Sequence, residues 1–252
     1  MENKDTLNYL RNNIDEIDRK IFDLIQERLK FVSKVGELKK SSDSQKYIIR
    51  PGREALKVMK AYQMSVEAGY NSKISKAIAN IWREMISLSI NLEEPAIISL
   101  DKNNKDLYYL VREYMGSYSE VKHLNSEDEA LTSLIDGKSN IAAVEVFKEN
   151  NQLPWWVSIA NHSQLCVFAK LPLFDEPKFG NKMLISNLVA EPCGNDIYLY
   201  VLSKKLPDDE KDSFNIISTY KNYSLATTDE FYNKYQSKLD AKYIGCYAVL
   251  RD

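Results

Sequence analysis

Three cations on the first forty residues, Arg11, Arg28 and Lys39, are of the right type to hold an anionic ligand, because a guanidinium pairs a carboxylate with two parallel hydrogen bonds. On a helix at ~100° per residue, Arg28 and Lys39, eleven positions apart, fall within about 20° of one face. Arg11 lies roughly 100° round the helix from Arg28, so if all three serve ligands it reaches a different site, that of a partner copy. Further on, Ser89 and Glu93 stack four residues apart on one helix face, and Arg53 and Glu54 follow Arg50 and Pro51 at a helix start. Spacing alone does not separate such a set from an ordinary solvated charged surface.

Other chemistries lack their residues. The two histidines, His123 and His162, sit in no recognisable nucleophile context, and no GxGxxG or GxxxxGK loop occurs among the 8 glycines. His162 and Cys166 lie one helical turn apart without a second ligand pair, too few for structural zinc, so no metal and no cofactor is expected.

These residues need long helices to position them. Leu7, Leu10, Ile14, Ile17, Ile21, Leu24, Ile25, Val32, Val35 and Leu38 recur at helical spacing and predict one helix over about residues 5–40. The polar run Ser41-Ser42-Asp43-Ser44-Gln45-Lys46 ends it. A second helix is expected from Pro51 to about Ala68, with Gly69 just past its end, and a third from Ser72 to Leu92. A helix of ~36 residues is about 54 Å long, more than two shorter helices can cover, so its stripe packs either on another domain or on a second copy; the second is simpler, and an intertwined homodimer is expected.

Glu93-Glu94-Pro95 marks the expected boundary between a helical domain, residues 1–94, and an α/β domain, residues 95–252. In the second, strands are expected at Ala96–Leu100, Ile141–Val146, Leu165–Ala169, Lys182–Asn187, Ile197–Leu202 and Tyr243–Leu250. Helices are expected at Lys105–Met115, Ser126–Asp136, Asp208–Thr219 and Thr228–Leu239. Trp155 and Trp156 are read either as two packed aromatics at a domain junction or, as neighbours on a strand, with one in the core and one exposed to an aromatic ligand or partner. The fold class is therefore multidomain, a three-helix all-α domain followed by an α/β domain.

The 252 residues carry 34 Lys plus Arg against 36 Asp plus Glu, a net charge of -2 that argues against a bulk electrostatic grip on nucleic acid or anionic membrane. No apolar run approaches a membrane span, the first residues are polar, and three widely spaced cysteines do not make a disulfide framework. These features predict a soluble cytoplasmic protein.

The run Leu10-Arg11-Asn12-Asn13-Ile14-Asp15-Glu16-Ile17-Asp18, then Glu27-Arg28, Val35-Gly36-Glu37-Leu38-Lys39, Arg50-Pro51-Gly52-Arg53-Glu54 and Trp82-Arg83-Glu84-Met85-Ile86-Ser87-Leu88-Ser89, resembles the all-helical chorismate mutases over roughly residues 5–94. The resemblance implies an interlocked dimer and the pericyclic conversion of chorismate to prephenate without cofactor. It also implies Arg28, and Arg11 from the partner, as carboxylate clamps. Lys39 becomes the donor to the breaking ether oxygen, Glu54 the acceptor of the ring hydroxyl, and Ser89 a residue near a substrate carboxylate. Arg50 and Arg53, at the start of the second helix, are further candidate substrate contacts. Glu93 stands where relatives often carry Gln; it has to be protonated to donate, so turnover is expected to weaken as pH rises. An isochorismate-pyruvate lyase, or a weakly catalytic regulatory partner of aromatic amino-acid biosynthesis, are the alternatives on the same scaffold.

Ile141-Ala142-Ala143-Val144-Glu145-Val146 and Tyr243-Ile244-Gly245-Cys246-Tyr247 more weakly resemble segments of prephenate dehydratases. Val146-Phe147 replaces the expected Asn-Ser, and no Thr-Arg-Phe occurs, so no dehydratase activity is expected. Residues 95–252 then bind an aromatic amino-acid effector, mediate oligomerisation or contact with another pathway enzyme, or stabilise the mutase dimer.

Overall fold

A computed structural model describes residues 2–41, 49–146, 153–174, 180–203, 213–231 and 240–249. The chain opens with three helices, α1 (Glu2–Ser41), α2 (Pro51–Glu67) and α3 (Ser72–Glu93). Pro51 occupies the first turn of α2, where its missing N–H costs nothing, and Gly69 follows the helix at φ 88°. Residues 42–46, expected to break the first helix, lie outside the described residues.

An α/β region with one mixed nine-stranded sheet follows. Its elements are β1 (Ile97–Asp101), α4 (Lys105–Met115), β2 (Glu120–Leu124), α5 (Glu127–Ile135), β3 (Ile141–Glu145), α6 (Trp155–Ile159), β4 (Cys166–Leu171) and β5 (Lys182–Ser186). Then come β6 (Asp196–Leu202), β7 (Asn215–Tyr220), β8 (Tyr223–Thr228) and β9 (Ala241–Ala248). The strand order is β2-β1-β3-β5-β4-β9-β6-β8-β7. β1 runs parallel to both β2 and β3 through the crossover helices α4 and α5; the β6–β9 and β7–β8 pairs are antiparallel.

Compactness divides the chain into two units. One takes in α1 with Leu92–Glu94; the other takes in α2, α3 up to Asn91, and the α/β region. Within the second unit, period-2 alternation sends Ile141, Ala143 and Leu184 to a core that also holds Val58 of α2 and Ala79, Ile86 and Ile90 of α3. Ala142, Val144, Met183 and Ile185 face the opposite core with Leu131 and Leu134 of α5 and both tryptophans. On α1, by contrast, Leu7, Leu10, Ile14, Ile17, Ile21, Leu24, Val35 and Leu38 are all exposed, at 44–69%.

Several expectations need correcting. Asn215–Thr219, read as the end of a helix, belongs to β7, because Ile216, Ile217 and Thr219 favour a pleated strand and a two-residue turn, with Lys221 at φ 53°, returns the chain into β8. Thr228 closes β8 instead of opening a helix. Residues 213–214 and 229–231 are described and are not α-helical, and residues 208–212 and 232–239, the rest of those two expected helices, lie outside the described residues. β2, β7 and β8 were not among the expected strands. Trp155 and Trp156 open a short helix rather than a strand and are both buried in one core, which agrees with their reading as packed aromatics and not with an exposed strand member.

Candidate functional site

Around α1, Lys39 and Glu93 come together: Lys39 Nζ donates to Glu93 Oε2 at 2.6 Å, with both side chains largely buried. Gly36 permits the approach. A methyl there would sit 3.3 Å from Glu93 Cγ, tighter than an ordinary contact. Arg28, eleven residues before Lys39 on the same unbroken helix, is partly buried, and desolvation draws its guanidinium below the usual arginine range. Arg11 is exposed.

The other predicted residues belong to α2 and α3. Glu54 lies in the first turn of α2, and its two carboxylate oxygens are engaged separately. Oε1 accepts the Arg50 backbone N–H at 3.0 Å, one of the donors a helix start leaves unsatisfied. Oε2 accepts from Arg83 Nη1 at 3.0 Å, an ion pair almost wholly shielded from water. A carboxylate has about four lone-pair positions, so two such bonds leave acceptor capacity for a hydroxyl. Ser89 is buried and donates to the Met85 carbonyl at 2.7 Å, the back-bond common for serine inside a helix. Arg50 reaches away to Glu191, its Nε at 3.2 and 3.1 Å from the two carboxylate oxygens. Arg53 is exposed.

Arg83 is the residue that the spacing of ionisable groups did not single out. It is 1% exposed, and its Nε donates to the Tyr114 carbonyl while its Cζ lies 4.0 Å from the centroid of the Tyr114 ring. Nη2 has no partner among the described residues. Its position was legible in one way: Arg83 follows Ala79 and precedes Ile86 and Ile90 at helical spacing on the buried face of α3.

Farther along, Glu145 at the end of β3 accepts from Lys182 Nζ at 3.0 Å and from Asn104 Nδ2 at 2.9 Å. Among the described residues no group of three or more His, Cys, Asp or Glu is arranged to hold a metal ion, and no helix is long and apolar enough to cross a membrane.

Comparison with solved structures returns chains of low identity. "GqqA- a novel type of quorum quenching acylases" is 9% identical, covering 62% of this chain and 96% of that one with a TM-score of 0.45. A prephenate dehydratase from Arthrobacter aurescens, in complex with L-Phe, is 9% identical, covering 62% and 90% with a TM-score of 0.42. One from Streptococcus mutans is 12% identical, covering 62% and 100% with a TM-score of 0.39. No curated protein matches. The family model for chorismate mutase type II matches residues 10–94, and that stretch carries Arg11, Arg28, Lys39, Glu54 and Ser89 in the expected order.

Proposed function

We propose that the chain is an active chorismate mutase that converts chorismate to prephenate without cofactor. The observation that carries this reading is the family match over residues 10–94, with Arg11, Arg28, Lys39, Glu54 and Ser89 of the required types inside it. Chorismate is a dianion, so its two carboxylates call for cations, and Arg28 with Arg11 of a second copy supply planar, bidentate partners. Gripping both ends favours the compact conformer in which the reacting carbons meet. As the ether bond breaks, negative charge grows on its oxygen. Lys39 donates there more strongly in the transition state than in the ground state, which is what lowers a barrier. Glu54 takes the ring hydroxyl, Ser89 lies by a carboxylate, and Arg50 and Arg53 add positive potential at the start of α2.

Glu93 is the second donor in this reading. It starts as the partner of Lys39, and it has to carry a proton when the ether oxygen charges. The long apolar stripe of α1 is covered by a second copy, giving a homodimer. Residues 1–94 are the catalytic domain, and residues 95–252 a second domain that binds an aromatic amino-acid effector, mediates oligomerisation or contact with another pathway enzyme, or stabilises the mutase dimer. Three dispersed cysteines suit a reducing cytoplasm.

The test is chorismate consumption by the purified chain at two pH values, with products identified and Phe, Tyr and Trp added in turn. Prephenate formation that weakens at the higher pH supports the reading. Pyruvate with salicylate from isochorismate makes the domain a lyase, phenylpyruvate restores dehydratase chemistry, and no turnover leaves a binding module.

A further inference from the structure

The C-terminus of α4 is finished by α3. A helix ends with carbonyls that have no partner of their own, and here two of them receive side chains from the earlier helix. Arg83 Nε donates to the carbonyl of Tyr114, and Ser87 Oγ to that of Met115. Glu84 accepts from the backbone N–H of Ser117 at 3.1 Å, and Asn91 Nδ2 donates to Ser119 Oγ at 2.9 Å. Gly116, at φ 76°, adopts a backbone conformation that favours glycine, and a methyl there would crowd the Ser87 side chain.

Arg83 is thus held on three sides. Its edge is fixed by the Tyr114 carbonyl, its face by the Tyr114 ring, and its other edge by Glu54. A planar guanidinium held at edge and face has little rotational freedom left, so the carboxylate it grips is oriented too. Among the described residues, Glu54 is a proposed substrate contact whose ion-pair partner, Arg83, is itself anchored to a residue beyond the mutase match, which ends at residue 94.

We propose that Arg83 is a positioning residue for the mutase reaction, through which α4 of the α/β region sets the orientation of Glu54 toward the substrate hydroxyl. This rests on the mutase reading above. Arg83 touches no substrate; it acts through Glu54. The α/β region then has a part in catalysis that needs no effector and no activity of its own.

The experiment is a double-mutant cycle in the full-length chain: Arg83→Met, Glu54→Gln and the pair together, with kcat and KM for chorismate measured for each. Displacing a substrate contact by about 1 Å can cost roughly 100-fold, so Arg83→Met is expected to lower kcat/KM about 10- to 100-fold. In the Glu54→Gln background the same substitution should cost less than about twofold, and the two single variants should divide their loss between kcat and KM in the same way. Arg83→Lys, which keeps the charge, should recover part of the loss and provides the cycle if Arg83→Met does not fold. Equal losses in both backgrounds, or a fall in kcat alone that follows the folded fraction seen by circular dichroism, would overturn the proposal. A wild-type chain that converts no chorismate removes the mutase reading itself, and the proposal with it.

Discussion

Lys39 Nζ and Glu93 Oε2 lie 2.6 Å apart, joining the cation expected to stabilise the breaking ether bond to the group expected to share that task. Such a contact is a charge-assisted hydrogen bond, and in the proposed reaction both partners would turn to the substrate oxygen. A neutral amide in place of Glu93 removes the need for a proton. Glu93→Gln is expected to keep turnover at low pH and flatten its decline at high pH. A pH profile of kcat/KM for the two proteins checks this, and an unchanged profile excludes Glu93 from the chemistry.

In the proposed reaction, Lys39→Ala removes one donor to the developing oxyanion. Losses of roughly 100- to 1,000-fold in kcat are typical of such a deletion. Steady-state kinetics should show most of the effect in kcat, with KM little changed.

Arg28 is partly desolvated before any ligand arrives, which favours partnership with an anion. Arg28→Ala is expected to lower kcat/KM by about 100-fold or more, since truncating one partner of a desolvated charge pair is costly. Lysine at this position should restore charge without the bidentate fork, leaving a deficit that appears mainly in KM. A silent Arg28→Ala would remove it from the site.

The exposed stripe of α1 makes the homodimer testable. Leu7, Leu10, Ile14, Ile17, Ile21 and Leu24 alternate three and four residues apart, the spacing of a helix–helix seam. Light scattering should give two chains of 29.1 kDa for the wild type. Ile14→Glu with Leu24→Glu should give one, and turnover should vanish with the partner's Arg11.

Alkaline pH should destabilise the fold before it affects any surface charge pair. Burial pushes the Cys166 thiol up to about 12, helped by nearby Cys246, and pushes Cys246 up to about 11 against an opposing hydrogen bond from Tyr243. Burial also raises the Tyr114 hydroxyl to about 12, Arg83 opposing and Glu54 reinforcing. In the unfolded chain these thiols and this phenol ionise near 9.0 and 10.0. Between those values and the folded ones the native state binds more protons, so stability falls as pH rises through that interval and is level below it. Urea titrations between pH 8 and 11 should show the midpoint falling from about pH 9 upward.

The three helices were legible because each carries its own signal: an apolar stripe on α1, Pro51 and Gly69 around α2, and the run from Ile74 to Ile86 on α3. Buried strands such as β3 and β5 read as continuous apolar runs for the same reason. The edges did not. β2 contributes Glu120, Lys122 and His123, side chains that suit a sheet margin and hide a strand from any hydrophobic pattern. β7 followed an acidic stretch that looks like a helix start, and only its pairing with β8 decides it. Among the candidate site residues, types and order could be read, while the engagement of Glu54 by Arg83 could not. That bond depends on the end of α4, 31 residues beyond Arg83 and past the first strand of the sheet.

The finishing of α4 by α3 also carries a consequence for synthesis. Arg83 leaves the ribosome 31 residues ahead of the carbonyl that receives it, and Ser87 leaves 28 ahead of its own. Until Met115 has emerged, the nascent chain holds a guanidinium and a hydroxyl on the face of α3 meant for burial, so that face cannot settle early. A fragment cut at residue 94 stays in that condition permanently, and the helical region is expected to mature only as part of the longer chain.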